Sequence, residues 1–278
     1  MTHEIGAISG TGPHGNQKRN QKYWNPIMLQ AIFFDVDGTM ADTERDGHRV
    51  AFNLAFREAG LDWHWDVPVY GELLTVTGGK ERIRYFIENY APELPPVKDL
   101  TAWIGGLHQA KTGHYLELLR RGDIPLRPGV ARLIQEARAA GIRLAITTTT
   151  TPENVTGLLQ ATLGEDSPDW FELIAAGDIV PAKKPAPDIY HYTLEQMKLS
   201  PGEAIALEDS ANGVRSARDA GVPVIVTVND YTSDDDFDGA LAIHSHLGEK
   251  GNPVETRKGP TPDGGLIDLR YLKDLLGQ

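Results

Sequence analysis

Apolar and polar positions change period several times along this chain, and the changes mark out its elements. Residues 30–34, "QAIFF", form a short apolar run without alternation, the pattern of a strand buried on both faces of a parallel sheet, and the run ends on Asp35. Across residues 128–140 the apolar Val130, Leu133, Ile134 and Ala137 fall at helical spacing, and Gly141 follows as a stop before the strand-like "IRLAIT". Helical "ENVTGLLQATLG" then leads to "FELIAA", "DIYHYTLEQM" to "AIALE", and "ANGVRSARDAG" to "PVIVTV". The alternation predicts an α/β fold built on a doubly wound parallel sheet, with strands at residues 30–34, 142–147, 171–175, 204–208 and 223–228.

Between the first strand and Pro128, about ninety residues keep helical periodicity and show little strand character. Phe52 and Phe56 mark one helix, Ile83, Phe86, Ile87 and Tyr90 a second, and Leu100, Ile104, Leu107, Tyr115, Leu118 and Leu119 a long third. A helical insert at this point stands over the carboxyl ends of the strands, where doubly wound sheets bind ligands, so it is expected to be an α-helical cap domain. The domain reading is a flexible extension over 1–27, a catalytic core of 28–41 and 122–278, and a cap over 42–121. Residues 248–265 are rich in Gly, Pro and Asp and read as an irregular surface segment before a short helix near "DLRYLKDLL".

Composition narrows the chemistry. A chain of 278 residues with 40% apolar content can bury a proper core. No apolar stretch approaches the ~20 residues of a membrane helix and no signal pattern opens the chain, so a cytoplasmic protein without a membrane partner is expected. The absence of cysteine rules out a disulfide framework, a thiolate metal site and a cysteine nucleophile. A formal charge of -12 argues against nucleic acid as a partner, while a small anionic substrate would need cations gathered locally in a cleft. A monomer acting on a small molecule is the expectation.

Four polar motifs each follow a different predicted strand, so all four converge on one edge of the sheet. The first is "DVDGT", in which Gly38 permits a bend that lets Asp35 and Asp37 face one site. Asp35 there suits a nucleophile and Asp37 a general acid and base, although strand-end Asp and Thr also cap turns. The second is Thr148, with Thr149 beside it, in "LAITTTTT", where hydroxyl and backbone N–H groups suit phosphoryl oxygens, although a Thr run also suits a β-strand and an N-cap. The third is Lys184 in "AKKPAPD", a cation fixed in direction by the proline after it, whereas Lys183 reads as solvated. The fourth is "LEDSANG", where Glu208 and Asp209 join Asp35 and the Asp37 carbonyl as an oxygen set for Mg2+, with Asp209 or Ser210 as a plain N-cap the alternative.

Four such motifs in this order resemble the signature of the haloacid dehalogenase superfamily, matched here by "DVDGT", Thr148, Lys184 and "EDS" from about residue 30 to 228. The resemblance implies a Rossmann-like core, magnesium, and phosphoryl transfer through Asp35. The insert is similar to the CbbY subgroup in "ADTERDGHRVAFN", "LDWHWD", "YGELL" and "TGGKERI", with "TERDGH" one residue longer than in some relatives. That likeness implies a Calvin-cycle role, hydrolysis of the Rubisco inhibitor xylulose-1,5-bisphosphate, and a cap-side pocket of Glu44, His48, Tyr70, Gly78, Gly79 and Lys80. Consecutive glycines beside a lysine also suit a second phosphate on physical grounds, or simply a helix-entry turn. The same core motifs serve a sugar phosphomutase of the β-phosphoglucomutase kind or a phosphoglycolate-type phosphatase. A phospho-accepting receiver domain shares the Asp, Thr and Lys, but it lacks the helical insert and the second aspartate. His244 and His246 read as structural or exposed.

Overall fold

The computed structural model describes residues 1, 28–76 and 78–278; beyond Met1, the expected N-terminal extension lies outside the described residues. Five strands fall where the apolar runs predict them: β1 (Ala31–Phe34), β2 (Arg143–Thr147), β3 (Leu173–Ala175), β4 (Ala204–Glu208) and β5 (Val224–Thr227). Two more extend the sheet, β6 (Ala242–His244) and β7 (Thr256–Lys258), in the order β3-β2-β1-β4-β5-β6-β7. All neighbours are parallel except β7, which runs antiparallel along the edge. The surface segment expected to be irregular therefore contains an edge strand. β7 reads "TRK" and is largely exposed, so it joins through backbone pairing and leaves no apolar pattern to read.

Helices cover both faces of the sheet. Ile32 and Phe34 of β1 and Leu144 and Ile146 of β2 face one apolar layer, which includes residues of α5 (Val130–Ala139), α6 (Pro152–Leu163) and α9 (Leu269–Leu275). Ala31, Phe33 and Ala145 face the other, formed with α7 (Asp188–Met197) and α8 (Ala211–Asp219). β1 thus alternates between two buried faces, which is why its sequence is apolar throughout.

Four helices stand between β1 and α5: α1 (Arg49–Glu58), α2 (Val67–Leu73), α3 (Gly79–Tyr90) and α4 (Leu100–Arg121). Phe52, Phe56, Trp63, Trp65, Tyr70 and Phe86 form their own aromatic cluster, with Trp65 fully buried and 4.6 Å from the Phe52 ring. Asp99 caps α4 by accepting from Ala102 N at 3.0 Å, and Gly122, at φ 70°, ends it. The helix divides its loyalties. Ile104 and Leu107 belong to the aromatic cluster, whereas Tyr115, Leu118 and Leu119 join the apolar layer beneath the sheet.

The segment expected to carry one additional residue, "TERDGH", is a π-helical turn, Thr43–His48. Its wider i→i+5 pairing accommodates one more residue per turn before the chain continues into α1.

Candidate active site

β1 lies where the strand order reverses, with β2 on one side and β4 on the other, so a crevice opens at the carboxyl ends of these strands. Asp35 leaves the end of β1, Thr148 the end of β2, Lys184 the turn before α7, and Glu208 and Asp209 the end of β4. All five side chains are buried or nearly so. Lys184 Nζ donates to Asp35 Oδ1 at 2.7 Å, to Glu208 Oε1 at 2.6 Å and to the Thr147 carbonyl at 2.8 Å. Tyr190 O–H also donates to Glu208 Oε1. Burial opposes a charge on Lys184, but the Asp35 and Glu208 carboxylates outweigh it and hold the ammonium well above its ordinary pKa.

Asp35, Glu208 and Asp209 each offer an oxygen, and the three oxygens lie within 4.8 Å of one another. One lysine does not balance three acids. Burial and the nearby Asp35 charge push both Glu208 and Asp209 upward, a cost that a divalent cation would remove. The set contains only hard oxygen donors, and the fold makes room for it at two glycines. At Gly38, φ is 83° and a Cβ would stand 2.2 Å from Asp209 Oδ2; at Gly213 a Cβ would stand 1.8 Å from Glu208 Oε2. Ser210 caps α8 by accepting from Gly213 N at 3.2 Å, so Asp209 itself is not the cap.

Asp37 sits apart from the three-carboxylate group, accepting from Thr43 Oγ1 at 2.5 Å. Burial raises its carboxyl to about 7, with the Thr43 hydroxyl opposing the shift and the Asp35 charge adding to it. Thr148 is buried and accepts from Thr150 N at 3.4 Å; Thr149 is exposed, and Thr151, not either of them, caps α6.

The helical segment contributes two polar groups. In the first, Tyr70 O–H donates to Glu44 Oε2 at 2.5 Å and accepts from Arg82 Nη1 at 2.8 Å. Burial works to raise the Glu44 carboxyl, but His48, Arg82, the Tyr70 hydroxyl and Lys111 together bring it below its ordinary value. In the second, His48 Nδ1 lies 2.8 Å from Lys111 Nζ and stacks on Tyr115 at 4.0 Å. Burial lowers His48 to about 4 and Lys111 to about 8. Gly78, Gly79 and Lys80 are elsewhere, at the entry to α3, where Gly78 has φ 98° and Lys80 is exposed. Glu44 and Asp37 line a common cleft with Asp209, Asn229 and Tyr231.

Lys111, Arg82, Asn229 and Tyr231 also belong to the site, outside the motifs that mark it in the sequence. Lys111 had a legible signal, a charge in the apolar stripe Ile104, Leu107, Tyr115 and Leu118 of α4. Asn229 had another, since it follows the last predicted strand just as the four motifs follow theirs.

A sequence model of the haloacid dehalogenase-like hydrolases matches residues 29–221. The CbbY protein of a Cupriavidus necator plasmid is 49% identical over 226 residues, 81% of this chain and 89% of its own. Among solved structures, CbbY from Rhodobacter sphaeroides in complex with phosphate is 47% identical, with a TM-score of 0.67 over 81% of this chain and 97% of that one. A mutant of the same protein in complex with xylulose-(1,5)bisphosphate is 46% identical, with a TM-score of 0.66 over the same shares.

Proposed function

Because the chain belongs to the haloacid dehalogenase-like hydrolases, and within them to the CbbY phosphatases, we propose that it hydrolyses xylulose-1,5-bisphosphate to xylulose 5-phosphate and phosphate, using Mg2+ and an aspartyl-phosphate on Asp35. The observation that carries this reading is the Lys184 ammonium clamped between Asp35 and Glu208 inside a cluster of three carboxylates, with Asp37 held separately by Thr43.

In the first step an Asp35 oxygen attacks phosphorus while the bond to the sugar oxygen breaks, and Asp37 delivers a proton to that leaving oxygen. In the second, Asp37 takes a proton from water, whose oxygen attacks the aspartyl-phosphate and frees phosphate and the Asp35 carboxylate. A carboxyl raised to about 7 by burial suits both duties near neutral pH. Lys184 fixes one Asp35 oxygen and offsets the phosphoryl charge, and Thr148 holds a phosphoryl oxygen at the end of β2. Asp35, Asp209 and the Asp37 carbonyl would hold Mg2+, with Glu208 behind them; when bound, the ion neutralises the phosphoryl oxygens.

The substrate reading draws on the bisphosphate complex of the 46% identical CbbY. Glu44, His48 and Tyr70 face sugar hydroxyls, and the second phosphate meets Gly78, Gly79 and Lys80 at the amino end of α3, where backbone N–H groups favour an anion. Binding that remote group orients the reacting one.

Phosphate release across a panel of sugar phosphates with Mg2+ tests the proposal. Xylulose-1,5-bisphosphate should react far faster than phosphoglycolate, Asp35→Asn should abolish release, and Asp37→Asn should slow it by roughly 10²–10⁴. Equal rates on phosphoglycolate, or conversion of a hexose 1-phosphate without free phosphate, would reject the assignment.

A further inference from the structure

The loop after β5 touches both halves of the site. Asn229 Nδ2 donates to Asp209 Oδ2 at 2.7 Å and to the Gly38 carbonyl at 3.4 Å. Its Oδ1 accepts from Tyr231 N at 2.9 Å, so one side chain joins a carboxylate of the acidic cluster to the backbone two residues on. The next two residues reach the other way. Asp230 Oδ2 accepts from Arg45 Nη1 at 2.9 Å, on the π-helical turn that opens the helical segment. The Tyr231 ring lies 5.9 Å from the Tyr70 ring and packs so closely on α2 that a Cβ at Gly71 would stand 3.2 Å from it. Tyr231 is also a member of the aromatic cluster's periphery, although it belongs to the sheet's own loop.

We propose that residues Asn229, Asp230 and Tyr231 form a clasp that couples docking of the helical segment to the orientation of Asp209. Tyr231 and Asp230 hold the helices, and Asn229 passes that constraint to the carboxylate. These are positioning residues, since none of them attacks, protonates or accepts the phosphoryl group. A docked helical segment sets the Asn229–Tyr231 turn, and the turn presents Nδ2 to Asp209. With the clasp released, Asp209 loses the hydrogen bond that orients it, so a cation is held less tightly. The inference rests on the reading of Asp209 as a cation ligand.

Mn2+ binding, followed by the loss of the free-ion EPR signal, separates the two ideas without any substrate. Asp209→Asn should abolish tight binding. Tyr231→Ala, which does not touch the cluster, should weaken it by roughly three- to tenfold, the worth of about one hydrogen bond, and Asn229→Ala by a similar factor. Tyr231→Phe keeps the ring and should bind like the parent. Asp230→Ala removes only an exposed partner, leaves folding intact, and should weaken binding by about twofold, within the range of a surface ion pair. If Asp209→Asn loses Mn2+ while Tyr231→Ala and Asp230→Ala, both folded by circular dichroism, bind it like the parent, the clasp is wrong and the cation site stands. If Asp209→Asn binds Mn2+ like the parent, both fall together.

Discussion

Two missing side chains set the spacing of the charged cluster. Glu208 is fully buried, and its Oε2 would meet any Cβ at position 213 at 1.8 Å. The carboxylate has nowhere to retreat, because Lys184 and Tyr190 hold its other oxygen. Gly213→Ala is therefore expected to cost about 1–3 kcal/mol through overpacking and to lower kcat more than KM, as urea unfolding and steady-state kinetics would show. Unchanged stability would mean that Glu208 is less constrained than its contacts indicate. At this scale the sequence was legible where a polar residue ends an apolar run at a strand end, as at Asp35 and Asp209, and where a proline fixes a cation's direction, as at Lys184. It was not legible where a partner comes from a distant element. Thr43 holds Asp37 and Tyr190 backs Glu208, and neither position carries a mark in the sequence that points to its partner.

Elements were legible in proportion to the apolar surface they bury. β1 and β4 are buried at every position and could be read directly; β6 has three residues, and β7 exposes two of its three. What fixes that edge is polar. His244, fully buried in β6, lies 3.1 Å from Thr256 Oγ1 and 2.9 Å from Tyr271 O–H, tying β7 and α9 to the sheet. His246 lies beyond the strand and accepts from Gly248 N. Burial lowers His244 to about 4, against about 6.5 in an unfolded chain. The unfolded state then binds the extra proton between those values, so this contribution is whole above pH 6.5 and is lost as pH falls toward 4. Thermal melts from pH 7.5 to 4.5 should show a steeper fall in Tm for the parent than for His244→Gln. Parallel curves would remove His244 from the account.

For the molecule as a whole, charge is the governing quantity. A net charge of -12 surrounds a site that already concentrates acids, so any anionic substrate approaches against the field until a cation is in place. Mg2+ should stabilise the fold as well as the reaction. At a concentration one hundred times its dissociation constant, a ligand confined to the native state adds about 2.7 kcal/mol, which scanning calorimetry reads as a rise in Tm. EDTA should reverse the rise, and Asp209→Asn should be insensitive to both. No helix among the described residues is long and apolar enough to cross a membrane. The overall plan could be read from the chain because a helical block after the first strand has few places to go. Its attachment could not, since a single apolar stripe on α4 gives no sign of where its partners change. That change has a practical consequence for anyone recombining these enzymes. Leu118 and Leu119 are anchored beneath the sheet, so exchanging the whole segment up to Arg121 would strip residues from the recipient's foundation. A chimera should be joined inside the helix, after Leu107 and before Tyr115, leaving the lower half with the body that it packs against.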